Sequence, residues 1–193
     1  LWRASQGGVM TRLTIGPENG HGGPKQDPDD PEKKRLLFLD TINKGNTLPS
    51  LGPLQATNPC GELPLFPYES CNLGSIALGQ MLGTHADGVA KMDWERLEKT
   101  IAWSMRFLDN VITANTYLLP EVRSVTLANR KVGLGVMGWA ECLIDLGIPY
   151  ASEQAVALAR KLMRFIKEKS YEASRALAED RGVFPNWNKS AFY

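Results

Sequence analysis

The sequence predicts an α/β fold that is helix-rich in its C-terminal half. Two short, continuous apolar runs, Leu36-Leu37-Phe38-Leu39 and residues 73–78 (Leu-Gly-Ser-Ile-Ala-Leu), have the length and composition of buried strands. Beyond Asp93, apolar residues instead recur at helical spacing. The whole chain, 193 residues at 43% hydrophobic and 22% charged, has ordinary globular composition and enough length for one real core.

Residues 1–35 stand apart. Gly7-Gly8, Gly20, Gly22-Gly23 and Asp27-Pro28-Asp29-Asp30-Pro31 break any periodicity, so a loop or linker is expected, with a sequence artefact as the alternative. Order is expected from Leu36, with a strand over 36–39. Residues 52–70 carry Pro53, Pro59, Pro64 and Pro67, which rules out a helix and disfavours a central strand, so an ordered extended loop is expected. The second strand follows at 73–78. Asp93 is a suitable N-cap for a helix whose buried stripe is Leu97, Ile101, Met105, Leu108 and Ile112, bounded by Pro120. A second helix is expected over 136–146, stopped by Gly147 and Pro149. Ser152 caps a third, with Val156, Ala159, Leu162, Phe165 and Ile166 inward and Gly182 at its end. There is no internal repeat.

Several function classes are disfavoured. Twenty-two basic and 21 acidic residues leave a formal net charge of +1, which offers no electrostatic footprint for nucleic acid or a membrane surface. No apolar run reaches about 18 residues, and the N-terminus lacks a secretory pattern. Three cysteines make no disulfide framework, and a cytoplasmic protein with functional thiols is expected. The chain opens at Leu1 and stops at Tyr193 without a helix stop, so an excerpt of a longer polypeptide is expected.

The chemistry is concentrated in residues 57–75. Asn58, Cys60 and Glu62 alternate, and in an extended stretch all three side chains would share one face. Cys71 follows eleven residues after Cys60, and two thiols in one site suggest redox chemistry. A free cysteine is most often a small buried hydrophobe. Here Pro59 and Gly61 flank Cys60 in a loop, and an idle buried Glu62 would be costly.

Other signals are weaker. Gly133-Leu134-Gly135-Val136-Met137-Gly138 matches the dinucleotide fingerprint in letters, but residues 129–132 look too polar and short for the strand it requires, and no second strand carries the acidic residue. Close packing at the start of the second helix is the expected role of these glycines. His21 and His85 have no partners at zinc spacing, and no metal site is expected. Cys142, Trp94, Trp103 and Trp139 read as core or interface residues; Arg160, Lys161, Arg164, Lys167 and Lys169 read as a solvated face. Tyr68, near both thiols, has no assigned role.

The stretch Ala56-Thr57-Asn58-Pro59-Cys60-Gly61-Glu62, continued by Pro64-Leu65 and Pro67-Tyr68-Glu69-Ser70-Cys71-Asn72-Leu73-Gly74-Ser75-Ile76, closely resembles the large subunit of ribonucleotide reductase, nearest its adenosylcobalamin-dependent class. Residues 38–43, 130–138 and 181–187 match in the same order, so the likeness covers about 36–193. The resemblance implies an excerpt of a ten-stranded α/β barrel, with residues 56–70 as its central finger loop. By the same resemblance Cys60 carries a thiyl radical, Asn58 binds the ribose hydroxyls, Glu62 is the general base on the 3′-hydroxyl, and Cys71 is one of two reducing thiols. The cofactor implied is adenosylcobalamin. The partners implied are a ribonucleotide substrate, a thioredoxin-like or dithiol reductant and a nucleotide effector, with a homodimer allowed. Leu63 stands where the family commonly has Gln, and residues 1–35 do not match. A partner for Cys71, a phosphate-binding loop and a C-terminal Cys pair are missing, so the isolated chain is expected to be inactive. A reductase using a separate metal-containing radical subunit, or a non-catalytic barrel piece, are the alternatives.

Overall fold

A computed structural model describes residues 38–58, 61, 63–84 and 90–193. In chain order the regular elements are α1 (Leu39–Lys44), β1 (Ala56–Thr57), β2 (Pro64–Leu65), β3 (Asn72–Ala77), β4 (Leu82–Thr84), β5 (Ala90–Met92), α2 (Trp94–Ala114), α3 (Pro120–Asn129), β6 (Val132–Met137), α4 (Trp139–Asp145) and α5 (Glu153–Arg181). Short 3-10 turns lie at Pro49–Leu51, Leu78–Met81 and Trp187–Lys189. The chain divides into two compact units. One holds the described residues up to Ser70 with Tyr117–Asn129 and Pro185–Tyr193; the other holds Cys71–Thr116 and Arg130–Phe184.

The second unit is built by apolar burial. β3 and β6 pair in parallel over their full length, from Asn72 opposite Val132 to Ala77 opposite Met137. β4 and β5 form an antiparallel hairpin that leads into α2. The Asp93 carboxylate accepts from the Arg96 amide at 2.9 Å and so satisfies one orphan donor of the first turn of α2. Ser152 Oγ does the same for α5, accepting from the Ala155 amide at 3.1 Å. The inner stripes of these helices meet over one core: Leu97 and Ile101 from α2, Leu162 and Ile166 from α5, with Ile76, Leu78, Met81 and Cys142. Trp94 packs edge-on to Phe165 at 5.0 Å. At the rim, Lys169 of α5 bonds Glu172 at 2.8 Å and Glu98 of α2 at 2.9 Å, and hydrogen bonds to the Glu172 and then the Glu98 carboxylate hold its pKa above the usual lysine value. Asp109 on α2 takes both Arg130 at 2.8 Å and Arg181 at 3.1 Å.

The first unit is held differently. Leu48, Leu54, Leu65 and Phe66 are buried, but amide side chains tie the segments together. Asn43 donates to the carbonyls of Leu39 at 2.8 Å and Leu54 at 3.0 Å, and accepts from the Leu54 amide. Asn46 donates to Gly52 O and accepts from Leu48 N, each at 2.9 Å. The C-terminal segment joins through Ala191 N to Thr47 O at 2.9 Å.

Several sequence expectations need correction. The strand expected at 36–39 is not a strand in its described part: Phe38 is exposed coil and Leu39 opens α1, while Leu36 and Leu37 lie outside the described residues. A run of four apolar residues does not distinguish the two states, and the Asn43 latch favours the helix. The helix expected over 136–146 starts only at Trp139; Val132–Met137 is strand, because β3 offers it a complete ladder. Gly138, at φ +74°, turns the chain from strand into α4. Pro120 is the first residue of a further helix, α3, where proline's missing N–H costs nothing. The loop over 52–70 contains the β1–β2 hairpin. Val156, expected inward, is half exposed, and Ala155 is buried in its place. The described strands form three two-stranded sheets rather than a closed barrel. Among the described residues no helix is long and apolar enough to cross a membrane.

Candidate active site

The proline-rich motif is a hairpin finger. β1 and β2 pair through Ala56 with Leu65 and Thr57 with Pro64. Beyond that pair, Asn58 N donates to Leu63 O at 3.1 Å, and Leu63 N donates to the Asn58 side-chain Oδ1 at 3.0 Å. Gly61 N reaches back to Asn58 O at 3.0 Å, with Gly61 at φ +87°, a conformation that favours glycine. The chain therefore turns at this point instead of running extended. The extended run from Asn58 on which the shared-face expectation depended is thus replaced by a turn between Asn58 and Gly61. Cys60 and Glu62 themselves lie outside the described residues.

Asn58 has a clear structural task. Its Oδ1 clamps the finger, and its Nδ2 has no hydrogen-bond partner among the described residues. An amide with a fixed oxygen and an available N–H₂ is a pre-oriented donor. Cys71 belongs to the second unit, just before β3. It is half-buried, and its thiol donates to Asn72 O at 3.6 Å. Cys142 takes the packing role expected: fully buried in α4, with burial pushing its thiol pKa up. His21 and His85 lie outside the described residues. Among the described residues no group of three His, Cys, Asp or Glu is placed to hold a metal ion.

Between finger and β3 the chain makes a tight turn over residues 66–69, closed by Glu69 N to Phe66 O at 3.1 Å. Tyr68 occupies it at φ +61° with its ring exposed. The Glu69 side chain is buried. Its Oε2 accepts from Phe66 N at 2.9 Å and its Oε1 from Asn129 Nδ2 at 2.7 Å. Asn129 Oδ1 accepts in turn from Asn186 Nδ2 at 2.8 Å. Ser70 bonds Thr126 Oγ1 through both its amide, at 3.3 Å, and its hydroxyl, at 2.9 Å. Sequence reasoning gave Glu69, Asn129 and Asn186 no task. The only hint was a glutamate two residues after Pro67, ahead of the apolar run of β3.

The glycine-rich segment is resolved as well. Gly133 and Gly135 lie within β6, not in a turn between a strand and a helix. The segment is used for strand pairing, Gly133 standing opposite Leu73 and Gly135 opposite Ser75 of β3.

The hairpin finger, the thiol ahead of the parallel strand pair and the glycine-bearing β6 define the class. The chain belongs to the ribonucleotide reductase family, and the family model for the ribonucleotide reductase barrel domain matches residues 33–193. Among particular relatives, it is 56% identical over 157 residues to a vitamin B12-dependent ribonucleoside-diphosphate reductase of Mycobacterium tuberculosis, covering 81% of this chain and 22% of the relative. It is 51% identical over 152 residues to the protein of the same name from Thermoplasma acidophilum, covering 79% and 19%. A ribonucleoside-diphosphate reductase subunit alpha of Chlamydia pneumoniae is 36% identical over 159 residues, covering 80% and 15%. The chain spans about a fifth of the length of these curated relatives.

Proposed function

We propose that this chain is the finger-bearing part of a ribonucleotide reductase that uses adenosylcobalamin and reduces ribonucleotides to 2′-deoxyribonucleotides in the cytoplasm. The observation that carries the reading is the finger itself: a short hairpin whose Asn58 clamp carries the stretch with Cys60 and Glu62. The names and identities of the vitamin B12-dependent relatives support the choice of cofactor. In this reading residues 36–193 are part of a ten-stranded α/β barrel with the finger at its centre, and residues 1–35 stand outside it.

The residue types suit the reaction. Hydroxide is a poor leaving group, so the 2′-oxygen must depart as water. The thiyl on Cys60 takes the 3′ hydrogen atom, because S–H and activated C–H bonds are comparable in strength. Glu62 accepts the proton of the 3′-hydroxyl, which weakens the 2′ C–O bond, and one of the two reducing thiols protonates the departing oxygen. Cys71 and a second thiol elsewhere in the protein together supply two electrons and end as a disulfide. Cys60 finally returns the hydrogen atom to the 3′ carbon. Asn58 holds the ribose hydroxyls through its Nδ2. A dithiol reductant resets the disulfide, and a nucleotide effector and homodimer formation belong to the complete protein.

The Cys60 thiol would be the hydrogen donor that a radical source of this kind needs; no residue of this chain is assigned to holding the corrin. The chemistry the cofactor supplies when bound is the initial radical. The test is turnover by the full-length protein with and without adenosylcobalamin. Strict dependence is expected; turnover driven by a separate metal-containing subunit would contradict the cofactor assignment. The 193 residues alone are expected to be inactive.

A further inference from the structure

We infer that Glu69 is a positioning residue for this site: it braces the base of the finger and so holds in place the hairpin that Asn58 and Leu63 close. The inference rests on the function proposed above.

The finger cannot hold its own position. It has two paired positions, and an isolated two-stranded hairpin is marginal in water. Its base is therefore where stability must enter. β2 leads directly into Phe66, whose amide is held by Glu69 Oε2 at 2.9 Å. The same carboxylate is bound at its other oxygen by Asn129 of α3, at 2.7 Å. Asn129 is held by Asn186, whose own amide donates to Ala128 O at 3.1 Å. A second bolt, Ser70 to Thr126, enters α3 three residues before Asn129, on the same helix face. The buried carboxylate thus joins the turn after β2 to α3, and Asn129 ties the segment with Asn186 to the same point.

The brace also sustains strain. Tyr68, next to Glu69, sits at φ +61°, where a bulky residue is an outlier. Such conformations persist where the surroundings over-determine them. Here the turn is closed twice, by the Glu69 amide on Phe66 O and by its side chain on Phe66 N. Without the side chain the turn can relax, and the hairpin it ends would shift with it.

The pattern of donors predicts which substitutions survive. In Glu69→Gln the amide oxygen can keep the Phe66 N–H. The Gln N–H₂ can then donate to Asn129 Oδ1 if Asn129 and Asn186 both flip their amides. In Glu69→Ala two buried donors, Phe66 N and Asn129 Nδ2, lose these bonds. Displacing a catalytic group by about 1 Å can cost about 100-fold in rate.

The experiment uses the full-length protein carrying Glu69→Ala, Glu69→Gln, Asn129→Ala and, as reference, Cys60→Ala. Two readouts are taken: steady-state kinetics, and amide hydrogen exchange at Asn58 and Leu63, compared with α2. For Glu69→Ala the expected result is a kcat reduced by about 100-fold with KM for the nucleotide within about threefold. Exchange at Asn58 and Leu63 is expected to accelerate while α2 is unchanged. Glu69→Gln should restore kcat to within about threefold of wild type, a difference at the scale of ordinary surface effects. Asn129→Ala should act like Glu69→Ala but less strongly, and it carries the test if Glu69→Ala does not accumulate folded. An unchanged kcat in the Ala variants, unaltered exchange at the finger, or a Glu69→Gln variant as slow as Glu69→Ala would each overturn the inference. If wild type turns over and only Cys60→Ala is dead, the brace alone has failed; if wild type reduces no ribonucleotide, the functional reading has failed, and the exchange data still judge the brace.

Discussion

The two units of this chain are held together by different physics. The second is an aliphatic core: helices α2 and α5, each capped by a side-chain oxygen, close over β3 with Leu97, Ile101, Leu162 and Ile166. Among the described residues the first unit buries fewer large apolar side chains and is joined by Asn43, Asn46, Asn58, Asn129, Asn186 and Glu69. Apolar contacts are non-directional, and a core tolerates volume-conserving exchange. Hydrogen bonds between buried groups fix direction and distance, and their loss is costly. The comparison teaches that the segment bearing the proposed chemistry is located by directional bonds, while the second unit is stabilised by apolar bulk.

Truncating the second unit's core should give the largest change in stability. Leu97 is fully buried, so Leu97→Ala should destabilise by about 2–5 kcal/mol, read as a fall in apparent Tm of the full-length protein. A loss near zero would mean that α2 is not held by this core. In the first unit the matching experiment is Asn43→Ala. It strips the Leu54 amide of its acceptor and two carbonyls of a donor, at a cost of about 1–3 kcal/mol. If the contrast is right, hydrogen exchange will rise around residues 39–54 while α5 stays protected; a uniform rise would erase the distinction between the units.

Much of the second unit was legible in the sequence, and little of the first. α2 and α5 are long, periodic and capped, so local pattern suffices, and β3 is a continuous apolar run. β6 was hidden because Gly133 and Gly135 dilute its pattern and its partner strand lies far back in the chain. α3 was read only as a boundary: it is short, and the proline that starts it looked like a stop. At the site, residue chemistry singled out Asn58, Cys60, Glu62 and Cys71 as candidates, but alternation suggested an extended stretch where Asn58 and Gly61 make a turn. The Glu69–Asn129–Asn186 chain was not legible, since its bonds span 60 and 57 residues and no local rule pairs them.

A smaller effect concerns pH. Burial pushes the Cys142 thiol up, so the folded protein keeps a proton that the unfolded chain releases. The sign follows: this stability is complete below the ordinary thiol range and is lost as pH rises through it toward the raised value. Apparent Tm should fall across roughly pH 8 to 10, and Cys142→Ala should flatten that slope. An identical slope in the variant would remove Cys142 as its source.

The most direct test of the account is Cys60→Ala in the full-length protein, assayed with adenosylcobalamin, a ribonucleotide and a dithiol reductant. The account predicts complete loss of deoxyribonucleotide formation with an unchanged apparent Tm. Turnover at the wild-type rate would contradict the thiyl assignment and leave the finger without its proposed chemistry.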